Sequence, residues 1–214
     1  MATQALVFDA YGTLYDVHAV IRRCEEFWPG KGMQLSRLWR TKQLEYTWQL
    51  SLMRRYVPFS QVTREALAYA CESLQISLDE GKAQDLMQEY QRLAVYPDVP
   101  AALDRMPGKR AILSNGSPDM LEPLVKHSRL KFDFVLSVHA VRMFKPAPEV
   151  YQHAVDRLGV AKEDIGFVSS NCWDALGAKS FGFKAYWINR LGAPVDRLGF
   201  QPDAVVGSLH EVLL

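Results

Sequence analysis

Six short apolar runs, at residues 5–9, 110–114, 134–137, 165–169, 184–188 and 204–206, constrain this chain more than any other feature. They are rich in β-branched and aromatic residues, and each ends at small or polar ones. From Arg110 onward, helical periodicity fills the intervals, at about residues 118–127, 146–158, 173–181 and 208–214. Strands apolar on both faces and alternating with helices predict an α/β fold with a buried, mostly parallel sheet. In such sheets the chemistry lies outside the carboxyl ends of the strands.

Residues 16–96 break the alternation and read as helical. Leu35, Trp39, Tyr46, Leu50 and Met53 recur at helical spacing, as do Val62, Ala66, Tyr69 and Ala70. Ser77-Leu78-Asp79-Glu80 has the form of a capping box, followed by Ala83, Leu86, Met87, Tyr90 and Leu93 on one face. Pro97 closes the block. The expected division is a core of residues 1–15 and 97–214 and a helical subdomain of residues 16–96 over the active edge of the sheet.

A chain of 214 residues buries roughly 70% of its unfolded surface and needs no disulfide staples. Twenty-five basic and twenty-four acidic side chains leave a net charge of +1, so nothing advertises nucleic acid or anionic lipid. Cys24, Cys71 and Cys172 are scattered and odd in number, which argues against a disulfide framework and a zinc site. The start MATQALVFDA meets an acidic residue after four apolar or small ones and does not read as a signal peptide. No run approaches the ~18 apolar residues of a membrane span. A soluble cytoplasmic protein is expected.

The candidate chemistry sits at the strand ends. Asp9 closes the first run, and Gly12 permits a sharp turn that brings backbone amides toward its carboxylate. By position alone, Asp9 reads equally as a capping aspartate. Ser114-Asn115-Gly116-Ser117 follows the second run and suits an anion at a helix start, or a plain loop with a cap. Lys145 precedes a helix containing Tyr151, and alone it reads as a solvated lysine. Ser169-Ser170-Asn171-Cys172-Trp173-Asp174 ends the fourth run. The dinucleotide glycine fingerprint, the phosphate-binding P-loop, GxSxG and HExxH are all absent from the sequence. The five histidines have no ligand spacing.

Together and in this order, these residues resemble the haloacid dehalogenase superfamily, and within it the L-2-haloacid dehalogenases along nearly the whole length. The runs that carry the resemblance are FDAYGTLYDV, LWRTKQLEYTW, RYVPF, ILSNGSP, FKPAPEVY, FVSSNCWDALGAKSFGF and WINR. The resemblance implies a Rossmann-like doubly wound parallel sheet with an inserted helical-bundle cap. It also implies a nucleophilic Asp9, Thr13 fixing its rotamer, and Lys145 keeping it ionised. Asp174 would pair with Lys145 and, with Ser169 and Asn171, orient the hydrolytic water. Ser114 and the backbone near Ala10 and Tyr11 would bind the substrate carboxylate. Arg40, aided by Asn115, would receive the halide, and Tyr11, Phe59 and Trp173 would wall the alkyl chain. Tyr151 would hydrogen-bond in the site or merely pack on its helix.

The departures from the superfamily's phosphatases are as informative. Those enzymes carry a second aspartate two residues after the nucleophile, where this chain has Tyr11. The first aspartate of their magnesium motif is replaced by Ser170. One nucleophile and Asp174 make a poor cage for a hard dication, so neither metal nor other cofactor is expected. The expected activity is hydrolysis of short (S)-2-haloacids to (R)-2-hydroxy acids through an aspartyl ester. A small-molecule phosphatase and a non-catalytic binding protein on the same scaffold are the alternatives. The resemblance also implies a homodimer.

Overall fold

The computed structural model describes residues 3–212. Among these, six strands form one sheet: β1 (Ala5–Phe8), β2 (Lys109–Ser114), β3 (Phe134–Ser137), β4 (Ile165–Ser169), β5 (Lys184–Ile188) and β6 (Ala204–Val206). Their spatial order is β3-β2-β1-β4-β5-β6, and every pairing is parallel. Residues of β1 and β4 are buried throughout, because helices cover both faces of a parallel sheet. Those of the second half are α6 (Pro118–Ser128), α7 (Pro148–Leu158) and α8 (Cys172–Phe181). β1 lies centrally between β2 and β4, so the chain leaves it at the point where the strand order reverses.

Five helices of the described residues intervene between β1 and β2, the first four being α1 (His18–Phe27), α2 (Gly32–Leu52), α3 (Phe59–Ser73) and α4 (Glu80–Glu89). α2 packs on α1 and α3, and α4 packs on the same two. The buried stripe of α2 runs through Leu35, Trp39, Gln43 and Thr47 at intervals of four residues. Met53 lies just past the end of α2 and is exposed, as is Tyr69 on α3. A short α5 (Val99–Arg105), which the periodicity had not indicated, leads back to the sheet.

Several expected boundaries shift for local reasons. Asp79, not Ser77, caps α4: its carboxylate accepts the Lys82 N–H at 2.9 Å, so Glu80 opens the first turn instead of closing a box. The helix expected from residue 146 begins at Pro148, because a proline forces the preceding Ala147 into extended backbone and then suits the first helical position. The expected terminal helix is a single 3₁₀ turn, Leu209–Glu211. The last two residues of that expectation lie outside the described residues.

Candidate active site

Phe8 pairs with Ile112 of β2 and Val168 of β4, so Asp9 emerges at the centre of the sheet's carboxyl edge, beside the ends of both neighbours. Its amide still bonds to the Val168 carbonyl at 2.9 Å. The chain then curls tightly: the Ala10 carbonyl accepts the N–H groups of Thr13, Leu14 and Tyr15 at 3.0–3.3 Å. Gly12 makes this possible with φ +87°, and a Cβ there would stand 3.1 Å from Ser170 Oγ. The curl returns Thr13 to the carboxylate. Its hydroxyl donates to Asp9 Oδ2 at 3.0 Å and accepts the Ser170 N–H at 2.8 Å.

Asn171 Nδ2 donates to the same Asp9 oxygen at 2.9 Å. The other oxygen, Oδ1, takes Lys145 Nζ at 3.2 Å. Lys145 is 1% exposed and reaches on to Asp174 Oδ2 at 2.9 Å, while Tyr151 donates its hydroxyl to Asp174 Oδ1 at 2.8 Å. One ammonium thus bridges two buried carboxylates. The loop carrying it is anchored on both sides. Lys145 N–H donates to Asn115 Oδ1 at 2.9 Å, and Phe144 N–H donates to Ser51 Oγ of α2 at 3.0 Å. The Lys145–Pro146 peptide is cis.

Burial and neighbouring charges shift the proton affinities of Lys145, Asp174, Tyr151 and Tyr11. Burial favours the neutral amine of Lys145, but the carboxylates of Asp174 and Asp9 outweigh it and hold the ammonium above its usual range. Burial pushes the Asp174 carboxyl up to about 6, against the lowering by Lys145, with the Asp9 charge adding to the rise. Burial and the adjacent Asp174 keep Tyr151 protonated as a donor. The Tyr11 phenol is likewise driven up, chiefly by burial, so it stays neutral.

The remaining expected residues divide between the cleft and its frame. Arg40 joins Tyr11, Gly12, Ser170, Asn171 and Arg190 around a cleft of about 420 Å³. Phe59 packs its ring 6.3 Å from that of Tyr11. The backbone N–H groups of buried Ala10 and Tyr11 donate to no acceptor among the described residues, a cradle suited to an anion. Ser114 and Ser169 are buried, and their hydroxyls accept the N–H groups of Gly116 at 3.0 Å and Asn171 at 3.1 Å. They shape the loops. Asn115 holds the Lys145 backbone through its Oδ1. Trp173 lies against Trp48 of α2, with ring centroids 5.6 Å apart, and lines an outer groove with Pro146 and Leu176 instead of the Arg40 cleft.

Other site residues went unassigned in the sequence. Arg190 of the WINR run donates to the Thr13 carbonyl at 3.2 Å, pairs with Asp98 at 3.1 Å and lies 4.1 Å over the Tyr96 ring. Ser117 Oγ accepts the Ser60 N–H at 3.1 Å, tying α6 to the start of α3. Gln43 and Thr63 sit buried beneath Arg40. Two polar residues on the apolar stripe of α2, Gln43 and Thr47, were the available signal.

The superfamily's magnesium chemistry does not fit this donor set. Where a dication would bridge Asp9 and Asp174, Lys145 Nζ already does so, and Ser170 supplies no carboxylate. Among the described residues no cluster of three His, Cys, Asp or Glu side chains has metal-binding geometry. No helix of the described residues is long and apolar enough to cross a membrane.

Comparison with known proteins agrees with this construction. The chain is 48% identical over 214 residues to (S)-2-haloacid dehalogenase H-109 of Pseudomonas putida, covering 98% of this chain and 96% of that protein. Its fold superimposes on the L-2-haloacid dehalogenase RSc1362 with a TM-score of 0.96 at 45% identity, covering 98% of this chain and 96% of the other. It also matches the L-2-haloacid dehalogenase of Xanthobacter autotrophicus with chloropropionic acid covalently bound, at a TM-score of 0.91 and 43% identity, covering 98% and 96% of the two chains. The haloacid dehalogenase-like hydrolase family matches residues 3–182, a span that takes in β1 through α8 and the side chains bonded around Asp9, Lys145 and Asp174, while Arg190 lies beyond it. The chain belongs to the haloacid dehalogenase-like hydrolase family.

Proposed function

We propose that this chain is an (S)-2-haloacid dehalogenase that converts short (S)-2-haloacids and water into (R)-2-hydroxy acids, halide and a proton. The observation that carries the reading is the Asp9 carboxylate held by Lys145, Thr13 and Asn171 at the sheet's central edge. Tyr11 stands where a phosphatase needs a proton-donating aspartate. A departing halide needs no proton, so a phenol at that position is compatible with carbon–halogen cleavage and ill suited to releasing an alkoxide from phosphorus.

In the first step an Asp9 oxygen attacks the substrate α-carbon from the side opposite the halogen. A C–O bond forms, the carbon–halogen bond breaks with its electron pair, and configuration inverts. Arg40 receives the halide, and the Ala10 and Tyr11 amides with the Ser114 loop take the substrate carboxylate. In the second step water attacks Cγ of Asp9, and the acyl–oxygen bond breaks. The hydroxy acid leaves with an oxygen that came from Asp9. Ser169, Asn171 and Asp174 orient that water, and Lys145 keeps the nucleophile charged. A carboxylate is a weak nucleophile, so holding it in near-attack geometry must supply much of the acceleration, worth about 7–11 kcal/mol in favourable cases.

The reading extends to organisation. We assign residues 1–15 and 97–214 to the catalytic core and 16–96 to the cap, the chain to the cytoplasm and its assembly to a homodimer. Three cysteines without a disulfide support the first location. Exposed Leu52 and Met53 at the end of α2 support a partner there. A panel of chloroacetate, both enantiomers of 2-chloropropionate and p-nitrophenyl phosphate tests the activity. Halide release from the (S)-enantiomer without phosphate release is expected; phosphate release with no halide release would overturn the assignment.

A further inference from the structure

Arg40 lies on α2, one turn before Gln43, and its Nη1 donates to Gln43 Oε1 at 2.5 Å. Gln43 has no solvent exposure. Its Nε2 donates to Thr63 Oγ1 of α3 at 2.8 Å, and the Thr63 hydroxyl donates to the Phe59 carbonyl at 2.7 Å. The order of donors in this relay is fixed from its far end. A carbonyl only accepts, so Phe59 claims the one hydroxyl proton of Thr63. Thr63 Oγ1 must therefore accept from Gln43, which turns the Gln43 carboxamide so that its oxygen faces Arg40. A guanidinium has only donors, and this oxygen is the acceptor it requires. Trp39 Nε1 locks the same two helices by donating to the Thr63 carbonyl at 2.7 Å.

We propose that Gln43 is the positioning residue that aims the Arg40 guanidinium at the departing halide, and that Thr63 sets its orientation. The inference rests on the reading of Arg40 as halide acceptor. A buried glutamine on an apolar helix stripe costs stability unless its amide is fully bonded, and here the relay both satisfies it and leaves Arg40 one preferred direction. Phe59 is the first residue of α3 and packs on Tyr11, so the relay also ties the Arg40 direction to the apolar wall of the cleft. The relay acts on bond cleavage: a misaimed cation stabilises less of the charge that develops on the leaving atom. Chloride, the poorer leaving group, suffers more than bromide.

The test compares Gln43→Met, Thr63→Val and Arg40→Ala on (S)-2-chloropropionate and (S)-2-bromopropionate, with inhibition by added bromide as a second readout. Gln43→Met keeps the volume and removes the acceptor; it is expected to lower kcat on the chloride by about 10-fold or more, in line with the cost of small misplacements. The loss on the bromide is smaller, and bromide inhibition weakens. Thr63→Val changes neither Arg40 nor Gln43 and gives the same pattern in weaker form, so it decides the matter should Gln43→Met fail to fold. In the Arg40→Ala background, Gln43→Met adds nothing further. If Arg40→Ala shifts the chloride-to-bromide ratio and bromide inhibition while both relay variants leave them at parental values, Gln43 does not aim Arg40. If Arg40→Ala itself leaves both unchanged, the reading of Arg40 falls and takes this proposal with it.

Discussion

Lys145 serves two carboxylates at once, which explains why a cation is buried in a chain of nearly neutral net charge. Removing it leaves Asp9 and Asp174 facing each other in a dry site, a loss of about 3–5 kcal/mol for a broken buried pair. Lys145→Met is therefore expected to abolish turnover and destabilise the fold. Without the ammonium the buried Asp174 carboxyl, already raised by burial, titrates further above its unfolded value, so the folded state binds more protons and the variant regains stability as pH falls from about 8 to about 5; urea unfolding across that range checks the sign. Tyr151 tests the same network from the other side. Its hydrogen bond favours the ionised form of Asp174, whose carboxyl lies near pH 6. Tyr151→Phe should move the acid limb of kcat/KM to higher pH by about one unit, since a hydrogen bond to a charged group is worth ~1.5–3 kcal/mol. An unmoved limb would show that Asp174 does not set it. The sequence alone left Asp9 and Lys145 ambiguous, because a strand-end aspartate and a lone lysine are each common surface features. The sheet order and the anchored loop before α7 together bring them within bonding distance.

At the scale of elements, the turn after β1 does the placing. Gly12 takes φ +87° against Ser170, and Thr13 thereby returns to Asp9. Gly12→Ala meets both a left-handed backbone penalty of about 1–2 kcal/mol and the nearby Ser170 hydroxyl. The expected result is a modest fall in melting temperature with a disproportionate fall in kcat; equal and small losses in both would mean that the turn is only structural. The inner strands were readable in advance because burial on both faces writes a continuous apolar run; the edge strands β3 and β6 are only partly buried and were legible from their β-branched and aromatic residues. Helix ends were less readable, as Asp79 displacing Ser77 shows: two good capping residues stood two positions apart, and the Lys82 amide decided between them. α5 was too short to declare a period. Gln43 and Thr63 were hidden for a different reason. A polar residue on an apolar stripe has no partner until the neighbouring helix is placed, and the significance of Arg40 came from resemblance rather than periodicity.

For the whole molecule, one design principle covers the data: helices inserted after β1 bring a cation to the edge of a sheet whose strand ends hold an anion. The cleft lies where these two parts meet, so neither part alone completes it. The bridging ammonium takes the place of a dication, and activity is expected to be indifferent to a chelator; loss in chelator with recovery in magnesium would contradict that. In the proposed mechanism the Asp9 side chain itself becomes esterified and is released by attack at its own carboxyl carbon. A single turnover in ¹⁸O-water, with enzyme in excess over (S)-2-chloropropionate, tests this most directly. Heavy oxygen is expected in the peptide bearing Asp9 and ordinary oxygen in the 2-hydroxy acid. Label passing straight into the product, with none in that peptide, would contradict it.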